Sequence, residues 1–409
     1  MKILIISQYF WPEQFQINTI VLGLKKRGHD VEVLTGLPNY PTGIFFESYN
    51  FFSCLREELW DEITIHRIPI IPRGGGSTFR LIINYLSFIL SGLFFAPFIL
   101  RNKNYDVIFV YGVSPIFQSI PASFLGFLKG APVVLWVQDL WPESPQATRH
   151  INSKLLLNII RLAANFTYRQ VNMLLVQSKA FIPILKKSVP DIPIIYHPNT
   201  VEPFFYSNNS YRLPAIQSLE NDFNVVFAGN IGETQAIEVI VASAIRLKPY
   251  SGIKIIMFGG GSRLNWVKQQ VKKNELSNLI IEGHYSVEFM PKILRKASAL
   301  LLTLNSNPAS RLTIPNKLQA YLAVGKPIIA CLDGEASRII KASGAGFTVR
   351  AEDSKGLFEA ILKMRELSDF DRMRMGRNGS KYFKSNYETH KLIDDLVMHL
   401  SCVVKKDLP

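Results

Sequence analysis

The sequence predicts an α/β protein of two successive domains, each a mostly parallel sheet flanked by helices. Three observations carry this. At 409 residues the chain exceeds what one core ordinarily fills. Short apolar runs alternate with longer helical stretches along its length, the pattern of strand–helix–strand units. A polar, aperiodic segment near residue 200 separates two such series.

In the first series the strand candidates are KILIIS, DVEVLT, TIHRIPI, DVIFVYG, PVVLWVQD, MLLVQS and PIIYHPN, with helices beginning near Gln14, Arg80, Ser114, Asn152 and Ser178. In the second they are FNVVFAGN, IKIIMFGG, LIIEGH, ASALLLTLN, KPIIAC and AGFTV. The helices there begin near Thr234, Ser262, Ser286, Pro315, Glu335, Ser354 and Asp371. Residues 1–200 thus form a first Rossmann-like domain, 201–222 a linker and 223–386 a second such domain. Residues 387–409 read as a terminal helix with no strand after it.

The net charge of +14 calls for an anionic partner. No zinc spacing, aromatic RNA-binding strand or continuous basic run supports nucleic acid. The three cysteines, Cys54, Cys331 and Cys402, are far apart, which suits a reducing compartment and offers no metal frame. The opening MKILIISQYFWPE reads as a buried strand, not a signal peptide, because aromatics and Pro12 follow a short apolar run. Residues 79–103 are apolar enough to span a bilayer, but Asn84, Ser87, Ser91, Gly92 and Pro97 interrupt them. An amphipathic helix, buried or lying on a membrane surface, is the preferred reading.

Open parallel sheets bind ligands beyond the carboxyl ends of their strands, so those exits are where chemistry is expected. The first exit, SQYFWPEQF, lacks the glycines of a dinucleotide fingerprint. Its Glu13 is either a dipole-favouring residue near a helix start or a substrate contact. The exit WVQDLWPES offers two indoles for sugar stacking and Gln138 and Asp139 for sugar hydroxyls, although Asp139 could instead cap a turn. In the second half, Gly229, Asn230, Gly232 and Gln235 form a small-residue turn before a helix, suited to an anion. Gly260 and Arg263 repeat the device, and Glu282 and His284 follow at a third exit, placed for a base or ribose.

The segment from Phe289 to Leu332 contains no Asp or Glu but carries Arg311, Lys317 and four further cations. Pro315 opens a helix there, with Asn316 and Lys317 behind it. A helix start that avoids negative charge suits a diphosphate.

These motifs in this order, together with HDVEVLTGLPNYPTG, HPNTVEPF and IPNKLQAYLAVGKPIIA, resemble the retaining GT-B glycosyltransferases of family 4 over essentially the whole chain. Within that family the resemblance is to bacterial O-antigen or capsule transferases of the N-acetyl-L-fucosamine type. It implies two Rossmann-like domains facing a central cleft, with the terminal helix crossing back to the first domain. It further implies a UDP-sugar donor held by the second domain, a lipid-linked saccharide acceptor (undecaprenyl diphosphate) held by the first, and no metal or other cofactor. The expected location is the cytoplasmic face of the membrane, against its anionic surface. The catalytic set is then Asp139, Gln138, Lys317 and Glu13. The donor set is Gly229, Asn230, Gly232, Gln235, Gly260, Arg263, Glu282, His284, Arg311, Asn316 and Lys317. Two glutamates common in the family fall on Leu312 and Ala320, and its Arg and Lys of the first glycine turn fall on Asn230 and Gln235. A GT-B epimerase and a degenerate binding subunit are the alternatives to a transferase.

Overall fold

The computed structural model describes residues 1–50, 57–75, 77–144, 153–207, 216–220 and 222–406. The chain divides into two compact units, Met1–Pro198 with His390–Pro409, and Asn199–Thr389. The anticipated linker is counted with the second unit: Phe205, Ile216 and Leu219 are buried in it, and Arg295 donates to the Phe205 carbonyl. Cys54, the helix start at Asn152 and linker residues 208–215 and 221 lie outside the described residues.

The first unit holds β1 (Lys2–Ile6), β2 (Asp30–Gly36), β3 (Glu57–Trp60), β4 (Ile63–Ile68), β5 (Val107–Gly112), β6 (Val133–Val137), β7 (Met173–Val176) and β8 (Ile194–Tyr196), in the sheet order β3-β4-β2-β1-β5-β6-β7-β8. All pairs are parallel except β3 with β4. β5 and β6 are buried at every position, as strands covered on both faces must be. β3 was not anticipated. It is a four-residue edge strand whose exposed Glu57 blunts pairing with other chains and hides its periodicity.

The terminal helix Thr389–Lys405 belongs to this unit's core from His390 on: Ile393, Leu396, Leu400 and Val403 pack with Ile17, Ile20, Val21 and Leu24 of helix Gln16–Lys26. A side chain at Gly23 would begin 2.2 Å from Ile393 Cδ1, so glycine sets this close approach. Arg27 clamps the pair through Asp394 Oδ1 at 2.5 Å and the His390 carbonyl at 2.8 Å.

The second unit holds β9 (Phe223–Ala228), β10 (Ile253–Phe258), β11 (Leu279–Gly283), β12 (Ala299–Thr303), β13 (Ile328–Cys331) and β14 (Gly346–Val349), all parallel in the order β11-β10-β9-β12-β13-β14. This is the doubly wound order, and the strand sequence reverses between β9 and β12. In the first sheet the reversal falls between β1 and β5.

Candidate active site

In the second unit the glycine turns interlock beyond the sheet. A Cβ at Gly259, whose φ is +126°, would sit 2.1 Å from the Gly229 carbonyl oxygen. Ile231 N–H donates to the Gly260 carbonyl at 2.8 Å, and Arg263 N–H to the Ile231 carbonyl at 2.9 Å. Gly259 N–H donates to the Gly283 carbonyl, and a Cβ at Gly260 would meet His284 Nε2 at 2.3 Å. Three strand exits therefore share one backbone mesh in which a Cβ at Gly259 or Gly260 would collide with its neighbours. Gly259→Ala is expected to lower stability by roughly 1–3 kcal/mol through backbone strain and collision, and to weaken nucleotide binding. Chemical denaturation and a UDP titration read the two effects.

Lys317 reaches into this mesh from helix Asn316–Val324. A Cβ at Gly229, whose φ is +128°, would sit 2.8 Å from Lys317 Cε. The lysine Nζ sits 3.8 Å from the Phe227 ring centroid and donates to Gln235 Oε1 at 2.5 Å. Among the described residues no carboxylate pairs with it. Burial therefore lowers its pKa to about 7. Pro315 occupies the position before the helix, with extended backbone and no side-chain cap. The first-turn amides and the helix dipole thus add to the positive potential around Lys317. Tyr321, buried on the same helix, accepts from Ala228 N–H at 3.0 Å and locks the helix to the end of β9.

The other expected donor residues are arranged differently. Arg263 pairs with Glu238 and stacks on Trp266 at 4.6 Å. Arg311 is exposed and pairs with Asp333 at 3.6 Å, an acid just past the carboxylate-free stretch. Both arginines are already partly neutralised, so Lys317 alone of the three expected cations lacks an acidic partner. Asn316 Oδ1 accepts from Asn199 Nδ2 at 2.8 Å. Asn230 lies on the exposed side of the turn, with its side chain against Gly232 and Gly261. Glu282 is half-buried on β11. Ala320 is buried and Leu312 ends a short helix, Pro308–Leu312.

In the first unit Asp139 lies just past β6. Ser114 Oγ, just past β5, donates to Asp139 Oδ2 at 2.8 Å and accepts from Trp141 Nε1 at 3.2 Å. Burial raises the Asp139 pKa against the Ser114 hydrogen bonds. Gln138 is buried and its Nε2 has no hydrogen-bond partner, a donor left open beside Asp139. Two expectations change here. Trp136 is no sugar platform: it is fully buried and its Nε1 donates to the His197 carbonyl at 2.8 Å. Glu13 is buried and its carboxylate accepts the amides of Phe10, Asn39 and Tyr40 at 3.2, 2.8 and 2.7 Å. Through these bonds it pins the loop after β2. Burial lifts its carboxyl to about 7 while those amides pull it down.

Ser114 and Tyr321 were missed because isolated Ser and Tyr residues carry no sequence signal. Only the strand order places Ser114 beside Asp139.

Interlocked glycine exits with a lysine in one doubly wound unit, and a carboxylate at a strand exit of the other, suit the two-domain GT-B glycosyltransferases. Residues 222–366 match the family described as "Glycosyl transferases group 1" and residues 15–200 the "Glycosyl transferase 4-like domain", and the chain belongs to this class of enzyme. It is 25% identical over 344 residues to WcaI of Escherichia coli (strain K12), whose name provisionally assigns it as a colanic acid biosynthesis glycosyl transferase; the match covers 80% of this chain and 82% of that protein. Its fold is similar to Anabaena Alr3699/HepE in complex with UDP, with a TM-score of 0.70, 13% identity and coverage of 98% and 100%. Sucrose-phosphate synthase from Thermosynechococcus elongatus gives 0.74 at 14% identity, with 99% of each chain covered.

Proposed function

We propose that the protein transfers a sugar from a UDP-sugar to a lipid-linked saccharide, with retention of anomeric configuration, in the assembly of a bacterial surface polysaccharide. The observation that carries this reading is Lys317, a half-buried cation with no acidic partner at the reversal point of the donor-type sheet. A leaving diphosphate would supply the missing charge and be stabilised by the lysine and the helix end as it departs. The acceptor hydroxyl attacks from the face the diphosphate leaves, and the leaving oxygen takes its proton. Gln138 and Asp139 orient the sugars. UDP is favoured because the HepE structure and an E. coli structure titled trehalose-6-phosphate hold UDP or UDP-2-fluoro glucose. In this reading the diphosphate charge is met by Lys317 without a metal, so activity should survive EDTA. The donor sugar we infer is an N-acetylated deoxyhexosamine such as N-acetyl-L-fucosamine, in O-antigen or capsule synthesis.

A membrane-surface location is favoured by the first unit's helices. Helix Thr78–Ile99 turns Asn84, Ser91, Gly92 and Ala96 inward together with Phe88. It turns Phe79, Ile82, Leu86, Leu90, Phe94 and Phe98 outward, Phe94 being 75% exposed. Leu93 of this helix, Phe124 and Phe127 of helix Ser119–Lys129 and Phe166 of helix Lys154–Arg169 line one groove. The three helices carry five cations and no carboxylate, which suits an anionic lipid surface and disfavours self-association through like charge. The helices Ser119–Lys129 and Lys154–Arg169 are too short to span a bilayer, so the face is read as lying on it.

A thermal-shift panel of nucleotide sugars tests the donor. Stabilisation by a UDP-deoxyhexosamine above UDP-glucose is expected; a preference for GDP-mannose would overturn it. The protein should also co-sediment with vesicles containing phosphatidylglycerol. The combined variant Phe79→Ser, Phe94→Ser, Phe127→Ser should lose at least tenfold in vesicle affinity while keeping UDP binding.

A further inference from the structure

We propose that Arg73 is a second, separate anion site of this enzyme, one that holds the diphosphate of the acceptor in the first unit. The inference rests on the transferase reading above and assigns the group that recognises the acceptor's charge.

Arg73 lies in the loop before helix Thr78–Ile99. Its guanidinium carbon sits 5.1 Å from the Tyr40 ring centroid and 5.8 Å from that of Tyr9. Among the described residues its guanidinium makes no ion pair and no hydrogen bond. Cation–π contact with both rings holds the guanidinium while leaving its N–H groups without partners, which suits bidentate binding of phosphate oxygens.

The surroundings are built to hold that geometry. Arg73 N–H donates to Asn39 Oδ1 at 3.0 Å, and Asn39 Nδ2 donates to the Leu37 carbonyl at 3.0 Å. The Glu13 carboxylate takes the amides of Asn39 and Tyr40. Gly74 N–H donates to the Gly43 carbonyl at 2.8 Å, stitching the two loops together. Tyr9 stacks on Phe15 at 5.2 Å, 11° from parallel. Glu13 is thereby held by backbone amides, and among the described residues the arginine keeps its charge unmet. Such preorganisation around an unpaired cation is a cost in a ligand-free fold, which an anionic ligand offsets.

Two observations say which anion. The loop leads into the helix whose outer stripe, Phe79, Ile82 and Leu86, is apolar and exposed. Arg80 in its first turn packs against Gly74. A ligand with an anionic head and an apolar tail fits that sequence of surfaces. Tyr85 on the same helix, its hydroxyl pKa raised by burial, lies within electrostatic reach of both Arg73 and Asp139. Both charges thus act on one tyrosine of this helix, as suits an acceptor whose sugar is attached to a diphosphate.

The test is a calorimetric titration of geranyl diphosphate into protein saturated with UDP, repeated in a Lys317→Met background where the donor site no longer competes. Arg73→Met should weaken geranyl diphosphate at least tenfold, and Arg73→Lys, which keeps the charge but not the planar fork, should fall between. Unchanged affinity in Arg73→Met overturns the site. Inorganic pyrophosphate binding as tightly as geranyl diphosphate overturns the lipid carrier as the source and keeps the diphosphate. Binding of sodium glucuronate, with no binding of either diphosphate, overturns the ligand class. UDP titration of the wild-type protein reads the transferase assignment separately, and its failure would leave the Arg73 result standing.

Discussion

Lys317→Met is expected to lower turnover by roughly two to three orders of magnitude, the loss seen when one preorganised donor to a developing anion is removed. The same change should raise the stability of the ligand-free protein. The lysine pKa is lowered from 10.5 to about 7 by burial, so below pH 7 the folded chain carries a poorly solvated charge over the Phe227 ring. Between pH 7 and 10.5 the unfolded chain binds a proton that the folded chain lacks. Stability of the wild-type protein therefore rises with pH across that window. At pH 7 methionine should stabilise by roughly 2–4 kcal/mol, about 1.4 kcal/mol for each pKa unit and less for relaxation, and the gain should vanish toward pH 10.5. Denaturation curves at pH 6.5 and 9.5 measure it. Donor affinity has the complementary signature. A bound diphosphate restores the lysine's charge, so binding above pH 7 takes up a proton and weakens as pH rises. Normal turnover in the methionine variant would remove Lys317 from the mechanism.

Asp139→Asn is expected to reduce transfer to acceptor roughly a hundredfold while leaving UDP affinity unchanged, because it removes an oriented hydrogen-bond acceptor and keeps the shape. The carboxyl is held by Ser114 and its pKa is raised by burial. If the ionised form receives the acceptor's hydrogen bond, wild-type activity falls as pH drops through that raised value, above the ordinary carboxylate range. The asparagine variant should lack this acid limb. A variant with the wild-type pH profile would assign the limb to another group. Ser114→Ala keeps the carboxylate but frees its orientation, and should lose less.

The parallel strands were legible because a strand covered on both faces must be apolar throughout, as in VIFVYG and VVLWV. The glycine turns were legible because backbone crossing backbone admits nothing larger. The fate of the cations was not. Arg263 is neutralised by Glu238, 25 positions away, and Arg311 by Asp333 at another strand's exit. Absence of acid along a segment says little about acid across a fold. Trp136 looked like a sugar platform because strand exits and strand interiors are contiguous in sequence; it is a core residue of β6.

The missing family glutamates at Leu312 and Ala320 remain apolar in the fold, and the expected cation at position 235 is replaced by Gln235, which holds Lys317 from another element. The sequence by itself determined the two-sheet plan, the glycine turns at the strand exits and the helix that starts after Pro315, since these follow from hydrophobic period, glycine and proline, all local properties. Only the tertiary structure decided which charges stay unpaired, which aromatics are buried and that Arg73 rests against both Tyr9 and Tyr40. Those depend on distances between residues remote in the chain, and electrostatic energy is set by such distances and by burial, neither of which a linear pattern contains.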